Sequence, residues 1–339
     1  MRRKNSNIEE FILNNVDKHS TDIVALAAST FGISRQTAHD YMTSAVRSGK
    51  IIPTGRTRSI RYFLASGNHI EFSTKIEAGL SEDLIWTKYV KPILVRYPEN
   101  IQHLANYGFT EIFNNAIDHS EGEIVFTDIE IKQGTLCIMI MDNGIGIFQK
   151  IKRALNLDSE REAILHLSKG KFTTDPANHT GEGIFFTSRM FDQFSILSDD
   201  FFYTFTGKDW LLSREKKESF GKGTSIRMML PLESQKTPKG IMDQYADQEI
   251  GFHKTIVAVA LSASPDDPHI SRSQAKRLLM GVDKFKEVVL DFQGVQSVGP
   301  AFVDQIFRVF QNEHPEMRIQ YLNANSEVTE MIRRGLARS

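Results

Sequence analysis

The sequence predicts a soluble, multidomain α/β chain, and three observations predict it. Its 339 residues exceed what one compact core of ordinary size organises, so two or three domains are expected. Hydrophobic residues make up 40% and charged residues 24%, with a net charge of −1. That balance excludes wholesale disorder, a disulfide-rich secreted scaffold and a globally basic nucleic-acid coat. The pattern also changes twice along the chain. A short, helical, basic segment runs to about Leu64, a glycine-bearing α/β segment spans roughly 97–232, and strand–helix alternation resumes near Ile250. No uninterrupted apolar stretch approaches the ~20 residues of a membrane helix. Met1-Arg2-Arg3-Lys4 is basic, but Asn5-Ser6-Asn7 follows where a signal peptide carries its apolar core. The single cysteine, Cys137, permits no internal disulfide and fits a cytoplasmic protein. Within Leu136-Cys137-Ile138-Met139 it reads as a small buried hydrophobe.

The amino-terminal segment (1–65) opens with a helical stripe at Ile8, Phe11, Ile12 and Val16. A second helix is expected over Asp22 to Thr30, with Ser20 or Thr21 as its cap. Phe31-Gly32-Ile33 turns the chain, and Ser34 caps a third helix reaching about Arg47. Helix, glycine-containing turn and a helix opening Ser34-Arg35-Gln36-Thr37 form the pattern of a helix-turn-helix. In that unit the first turn of the second helix reaches base edges in the major groove; Arg forks onto guanine and Gln onto adenine. Lys50 to Pro53 and Ser59 to Phe63 read as two strands around Thr54-Gly55-Arg56-Thr57-Arg58. This basic hairpin resembles the wing of bacterial winged-helix regulators, which implies double-stranded DNA contacts from Arg35, Gln36, Thr37, Arg56 and Arg58. Residues 1–65 hold ten Lys/Arg against five Asp/Glu, the local excess that phosphate neutralisation requires. A winged helix used only for protein contact is the alternative.

Residues 66–96 read as a connector of mixed helical pattern with a strand near His69 to Phe72. Pro98 to His119 is expected as one helix, apolar at Ile101, Leu104, Ile112 and Ala116. Glu111 and Asn115 lie four apart on it, one above the other. A carboxylate one turn from a carboxamide can orient a water and ligate a hard cation such as Mg²⁺, yet such pairs are common on solvated helix faces. Strands are expected at Ile124 to Ile131 and Leu136 to Met141, around Lys132-Gln133-Gly134, and the second ends in Asp142-Asn143-Gly144-Ile145-Gly146. An aspartate there can accept a hydrogen bond inside a pocket, and the glycines let backbone approach a ligand. Thr180-Gly181-Glu182-Gly183 opens an apolar helix from Ile184 to Phe191, where free N–H groups suit phosphate. No Walker-type Gly-x-x-x-x-Gly-Lys-Ser/Thr run is present, which argues against a P-loop ATPase.

In this order, Glu111-x-x-x-Asn115-Ala116, Asp142-x-Gly144-x-Gly146 and Gly181-x-Gly183 resemble the GHKL ATPase superfamily over about residues 97–232. The resemblance extends to the closing strand Gly223-Thr224-Ser225-Ile226-Arg227-Met228. It implies an α/β sandwich (the Bergerat fold), ATP with Mg²⁺ as ligands, and a mobile lid over Ile147 to Thr180. Carried over, Asp142 binds the adenine amino group with Thr224 in support, Asn115 holds Mg²⁺, and Glu111 is the general base on the attacking water. Gly144 and Gly146 shape the pocket, while Gly181 and Gly183 pack the lid on the phosphates. Phe185 departs from the pattern, standing where many histidine kinases have a further glycine. Gly183-Ile184-Phe185-Phe186 followed by Met190-Phe191-Asp192 is closer to the anti-sigma-factor serine kinases of the superfamily. No phosphoacceptor-histidine helix fits between 66 and 98, and His103 reads as structural.

Glu233 to Gly240 reads as a polar, proline-containing start to a linker (233–249). Strands are expected at Thr255 to Leu261, Val288 to Phe292 and Arg318 to Leu322, and helices at Ser273 to Met280, Ala301 to Phe310 and Ser326 to Leu336. Asp291-Phe292-Gln293-Gly294-Val295, leading into Ala301, resembles the STAS-type anti-sigma antagonist domain over about 250–339. That family opens the following helix with a phosphorylatable serine; Gly299-Pro300-Ala301 offers no hydroxyl. The expectation is a STAS-like βα layered domain that binds a protein partner without the usual switch. Together these features predict a cytoplasmic, ATP-binding, slowly hydrolysing, DNA-binding transcriptional regulator with no membrane contact, and a homodimer stays open. The alternatives are a serine/threonine kinase of the anti-sigma type acting on a separate antagonist, and a non-hydrolysing ATP-sensing scaffold.

Overall fold

The computed structural model describes residues 6–16, 18–48, 50–54, 60–64, 69–171, 181–207, 210–214, 222–247, 251–262 and 270–337. Three short helices come first, α1 (Ser6–Asn15), α2 (Ile23–Phe31) and α3 (Arg35–Arg47). An antiparallel pair follows, β1 (Ile51–Thr54) with β2 (Arg61–Leu64). Their apolar residues close on a core of their own, with Ile12, Val16, Ile23, Ala27 and Ala38 fully buried. Ser34 caps α3, its Oγ accepting from the Thr37 N–H at 3.1 Å. At α2 the boundary residue is Asp22, not Ser20 or Thr21, and it makes no side-chain cap. Its carboxylate faces His19 Nδ1 at 3.2 Å instead. Gly32 ends α2 in the left-handed conformation (φ 59°), which a residue without Cβ adopts freely.

The stretch read as a connector builds into the next unit. β3 (His69–Lys75) is the edge strand of a seven-stranded antiparallel sheet, followed across it by Ile124–Lys132, Thr135–Asp142, Thr224–Pro231, Gln193–Ser198, Phe201–Phe205 and Trp210–Arg214. Between β3 and the sheet's interior strands, α4 (Glu82–Ile85), a wider π-type turn (Trp86–Val90) and α5 (Lys91–Leu94) bury Trp86, Val90 and Leu94. The long helix α6 (Glu99–His119) buries Leu104, Phe109, Ile112, Phe113 and Ala116. Each large apolar side chain buried this way contributes about 1.5–3 kcal/mol. Strands β4 (Ile124–Lys132) and β5 (Thr135–Asp142) join through Gln133 and Gly134, both at positive φ, as a two-residue hairpin demands. Alternate residues of both strands point at α6, the rest at the opposite face. Cys137 lies on that opposite face and is half-buried, not fully buried as expected; burial still pushes its thiol up.

Beyond β5 come α7 (Ile147–Leu155), α8 (Glu160–Lys169) and α9 (Gly183–Met190), then β6 (Gln193–Ser198), β7 (Phe201–Phe205), β8 (Trp210–Arg214) and β9 (Thr224–Pro231). The lid expected at 147–180 is thus two helices over its described part; 172–180 lie outside the described residues. Within the stretch read as a linker, α10 (Pro238–Met242) buries Ile241, and β10 (Ala246–Asp247) pairs with β11 (Gly251–Phe252).

The carboxy-terminal unit is a parallel sheet, β12 (Lys254–Ala258), β13 (Glu287–Asp291) and β14 (Arg318–Leu322), with β13 central. Its helices are α11 (Arg272–Leu279), α12 (Pro300–Asp304), α13 (Gln311–Glu313) and α14 (Ser326–Leu336), with a π-type turn continuing α12 through Phe310. The expected first strand ends early, giving way to a tight turn at Val259–Ser262.

Helix α8 joins the two larger units. Lys169, only 2% exposed, donates from Nζ to the carbonyls of Met280 (2.9 Å) and Arg277 (3.2 Å) at the end of α11. Thr255 Oγ1 donates to the Lys169 carbonyl at 2.7 Å, and Arg277 pairs with Glu162 at 2.9 Å. Burial lowers the Lys169 pKa to about 7 and that of nearby His166 to about 3. An unfolded lysine titrates near ~10.4, so between the two values the unfolded chain holds a proton that the native chain releases. Stability should therefore rise with pH from about 7 towards about 10, by as much as about 5 kcal/mol. Lys169→Met should flatten that limb in melting curves recorded against pH; a wild-type slope in the variant would exclude Lys169 as its source.

Candidate functional site

Helix α6, the end of β5, the start of β9 and the entry to α9 enclose a cavity of about 350 Å³. Glu111, Asn115, Asp142, Gly146, Gly181, Gly183 and Thr224 all line it, so residues spread over more than a hundred positions meet at one cavity. Gly144, expected to shape the pocket, does not line it. A Cβ on Gly144 would strike the Ser120 backbone, whose carbonyl accepts from the Ile145 N–H at 2.9 Å.

The floor is set by the antiparallel register. β5 pairs with β9 so that Met141 faces Ser225, which brings Asp142 beside Thr224. Asp142 is 8% exposed, and its Oδ1 accepts from the N–H groups of Gly144 (2.9 Å) and Thr224 (3.3 Å). Burial raises its pKa, and these hydrogen bonds oppose the rise. Thr224 does a second task, since its Oγ1 accepts from the Ile147 N–H at 2.9 Å and so fixes the start of α7. Gly223 (φ 124°) leaves no room for a Cβ against the Asp142 carbonyl, which explains a glycine there. Asn143 points outward and holds the loop, accepting from Glu123 N–H (2.8 Å) and Ile124 N–H (3.1 Å). Around Asp142 the walls are apolar, from Ile112, Ala116, Ile140, Ile147 and Ile226.

At the other end the groups are charged. Glu111 projects towards the entry of α9, where a Cβ on Gly183 would run into its carboxylate. Glu182, between the two glycines, has its pKa raised by burial, with Lys171 opposing. Burial and the charges of Glu111 and Glu182 push the Tyr107 phenol up. Phe185 lines the cavity where the expected pattern would have a further glycine, and it packs on Phe252 with centroids 4.6 Å apart.

Lys150 is a lining residue that sequence reading missed. Its Nζ donates to the His119 carbonyl at 2.6 Å and faces Glu121 at 3.5 Å. Only its place in the first turn after Gly146 hints at the role, because it otherwise reads as one more polar residue on an amphipathic helix. His103 lies on an exposed stretch of α6 and does not line the cavity.

The cavity fits a nucleotide with its metal. A slot with apolar walls and a buried acceptor at its floor suits a purine bearing an amino group. Backbone glycines at Gly146, Gly181 and Gly183 and the Lys150 ammonium suit phosphates. The hard amide oxygen of Asn115 suits Mg²⁺, and the Glu111 carboxylate one turn away suits a proton acceptor.

Of the residues expected to meet DNA, Arg35 and Gln36 are exposed on the first turn of α3 and Thr37 is half-buried. Gln36 Nε2 donates to Asp40 at 3.1 Å, and Thr37 Oγ1 lies 2.9 Å from Ser34 Oγ. Arg56 and Arg58 lie outside the described residues. Among the described residues no helix is long and apolar enough to cross a membrane.

A comparison with curated proteins gives no match for the chain. Residues 274–329 match the family described as a STAS-like domain of unknown function. Residues 103–234, which hold Glu111, Asn115, Asp142, both lid glycines and Thr224, match the family described as histidine kinase-, DNA gyrase B- and HSP90-like ATPase. The chain thus carries a GHKL-type ATPase domain and, after it, a STAS-like domain.

Proposed function

We propose that the chain is a regulator that binds ATP·Mg²⁺ in the 350 Å³ cavity, hydrolyses it slowly, and couples nucleotide state to duplex DNA binding in the cytoplasm. The observation that carries this reading is the convergence of Glu111, Asn115, Asp142, Gly183 and Thr224 on one cavity. In it, the second oxygen of Asp142 accepts from the adenine amino group, and Thr224 holds Asp142 in place. Asn115 would hold Mg²⁺, which would supply charge neutralisation for the phosphates. Glu111 takes the proton of the water that attacks the γ-phosphorus; ADP leaves and inorganic phosphate is released. The N–H groups at Gly181 and Gly183, with Lys150, hold the phosphates.

Coupling has a physical route. Helix α8, part of the lid, is bonded to the STAS-like unit through Lys169 and Glu162, so moving one loads the other. Towards the amino terminus, the Arg96 guanidinium donates to the Leu64 carbonyl at 3.1 Å, joining β2 to the entry of α6. DNA would be met by Arg35, Gln36 and Thr37 in the major groove and by Arg56 and Arg58 on the backbone, while the STAS-like unit takes a protein partner. The test is nucleotide binding, phosphate release and duplex-DNA affinity on one preparation. ATP should bind, free phosphate should appear slowly, and DNA affinity should differ between the ATP-bound and nucleotide-free protein. Identical DNA affinity in both states would refute the coupling, and label transferred to a protein would favour the kinase reading.

A further inference from the structure

A second cavity, of about 510 Å³, lies between the ATPase sheet and the carboxyl ends of β12, β13 and β14. That volume is in the range of small-molecule sites, and the carboxyl edge of a parallel sheet is where open α/β units place ligands. One wall is Arg189 with Tyr203, Trp210 and Tyr245; the other holds Asp291 and Asn323.

Arg189 decides what this cavity can take. Its guanidinium lies 3.8 Å from the ring centroid of Phe185 and 4.7 Å from that of Phe205, so aromatic rings flank the cation. Nη1 donates to Ser188 Oγ at 2.6 Å, but Nε is sealed from water and finds no hydrogen-bond partner among the described residues. No carboxylate pairs with Arg189 among the described residues either. An arginine stays charged, and a desolvated cation without a counter-ion is costly. The Tyr245 side chain also hydrogen-bonds the guanidinium, but these partners are neutral. A planar fork that is stacked on both faces and lacks a counter-charge suits a carboxylate or phosphate. The aromatic wall suits a flat or apolar body attached to that anion. On the far wall, Asp291 Oδ1 accepts from Asn323 Nδ2 at 2.9 Å and from the Gln293 N–H at 3.0 Å, so an ordered polar pair lines the same cavity.

We infer that this interdomain cavity is a binding site for a small anion on an aromatic body, a carboxylate or a phosphate ester, held by Arg189 and stacked against Trp210 and the neighbouring tyrosines. Phe185, on which the guanidinium stacks, also lines the first cavity, so the two sites share a wall.

The inference is independent of the nucleotide reading and is tested without nucleotide. The chain has two tryptophans, and Trp86→Phe leaves Trp210 as the sole one and a local reporter. Phenyl phosphate and benzoate are the probes. At least one should quench Trp210 saturably, and the stronger of the two identifies the anion. Arg189→Gln, which removes the charge, and Ala258→Phe, which fills the cavity from the β12 side, should each weaken binding by about tenfold to a hundredfold. Non-saturating quenching by both probes, or equal affinity in the wild type and in folded Arg189→Gln or Ala258→Phe protein, would overturn it.

Discussion

Asp142→Asn should abolish ATP binding and leave the chain folded. Asparagine matches aspartate in size, and its carbonyl oxygen can still accept from the Gly144 and Thr224 N–H groups, as Oδ1 does now. The second atom then becomes an NH₂, which meets the adenine amino group donor to donor. Loss of a charge-assisted hydrogen bond plus that mismatch is worth about 3 kcal/mol or more, a fall in affinity of roughly a hundredfold or beyond. Stability should move the other way. Burial raises the Asp142 pKa above its unfolded value, so this group favours the native state at low pH and costs stability once pH exceeds its folded pKa. At neutral pH the variant should therefore melt no lower than the wild type. Acid should weaken ATP binding by the wild type at a pH above the ~3.9 of a free aspartate, because a protonated Oδ2 presents a hydrogen to the amino group. Calorimetry across pH checks all of this; tight ATP binding by Asp142→Asn would remove Asp142 from the adenine site.

What was legible in the sequence was local. Glu111 and Asn115 declare themselves because four residues of helix put them on one face. Asp142 does so because it ends an apolar strand ahead of two glycines. Their meeting depends on β5 lying beside β9, a pairing of residues more than eighty positions apart. Only the order of the motifs, through its family resemblance, anticipated that. Lys150 had no such help, and neither did the packing of Phe185 on Phe252, which spans 67 positions and sets the start of α9 against the first residues of the stretch read as STAS-like. Polar residues and a proline at 233–240 look like a connector, yet Asn100 Nδ2 donates to the carbonyls of Ser234 (2.7 Å) and Lys236 (3.0 Å) and ties it to α6. Such ties satisfy backbone groups one at a time and leave no periodic trace. Lys169 is the extreme case. A lysine at the end of a helix reads as solvated, and only the tertiary structure shows it sealed against the carbonyls that end α11.

Glu111→Ala should give the opposite phenotype to Asp142→Asn: nucleotide still binds, and turnover is lost. The adenine floor and Asn115 are untouched by the change, so ATP affinity should stay within a few-fold of wild type. The carboxylate is the group that faces the Gly183 backbone at the entry of α9, where the terminal phosphate would lie. A water there needs an acceptor for its proton as it attacks, and general-base assistance is worth about 10²–10⁴ in rate. Phosphate release should fall by that factor in single-turnover assays, with the burst of bound ATP preserved. Asn115→Ala, by contrast, should lose the Mg²⁺ dependence of binding, which separates a metal ligand from a base one helical turn away. If Glu111→Ala released phosphate at the wild-type rate, the carboxylate would serve only to position the α9 entry, and the water would have to find its base elsewhere in a cavity where Asp142 is already committed to Gly144 and Thr224.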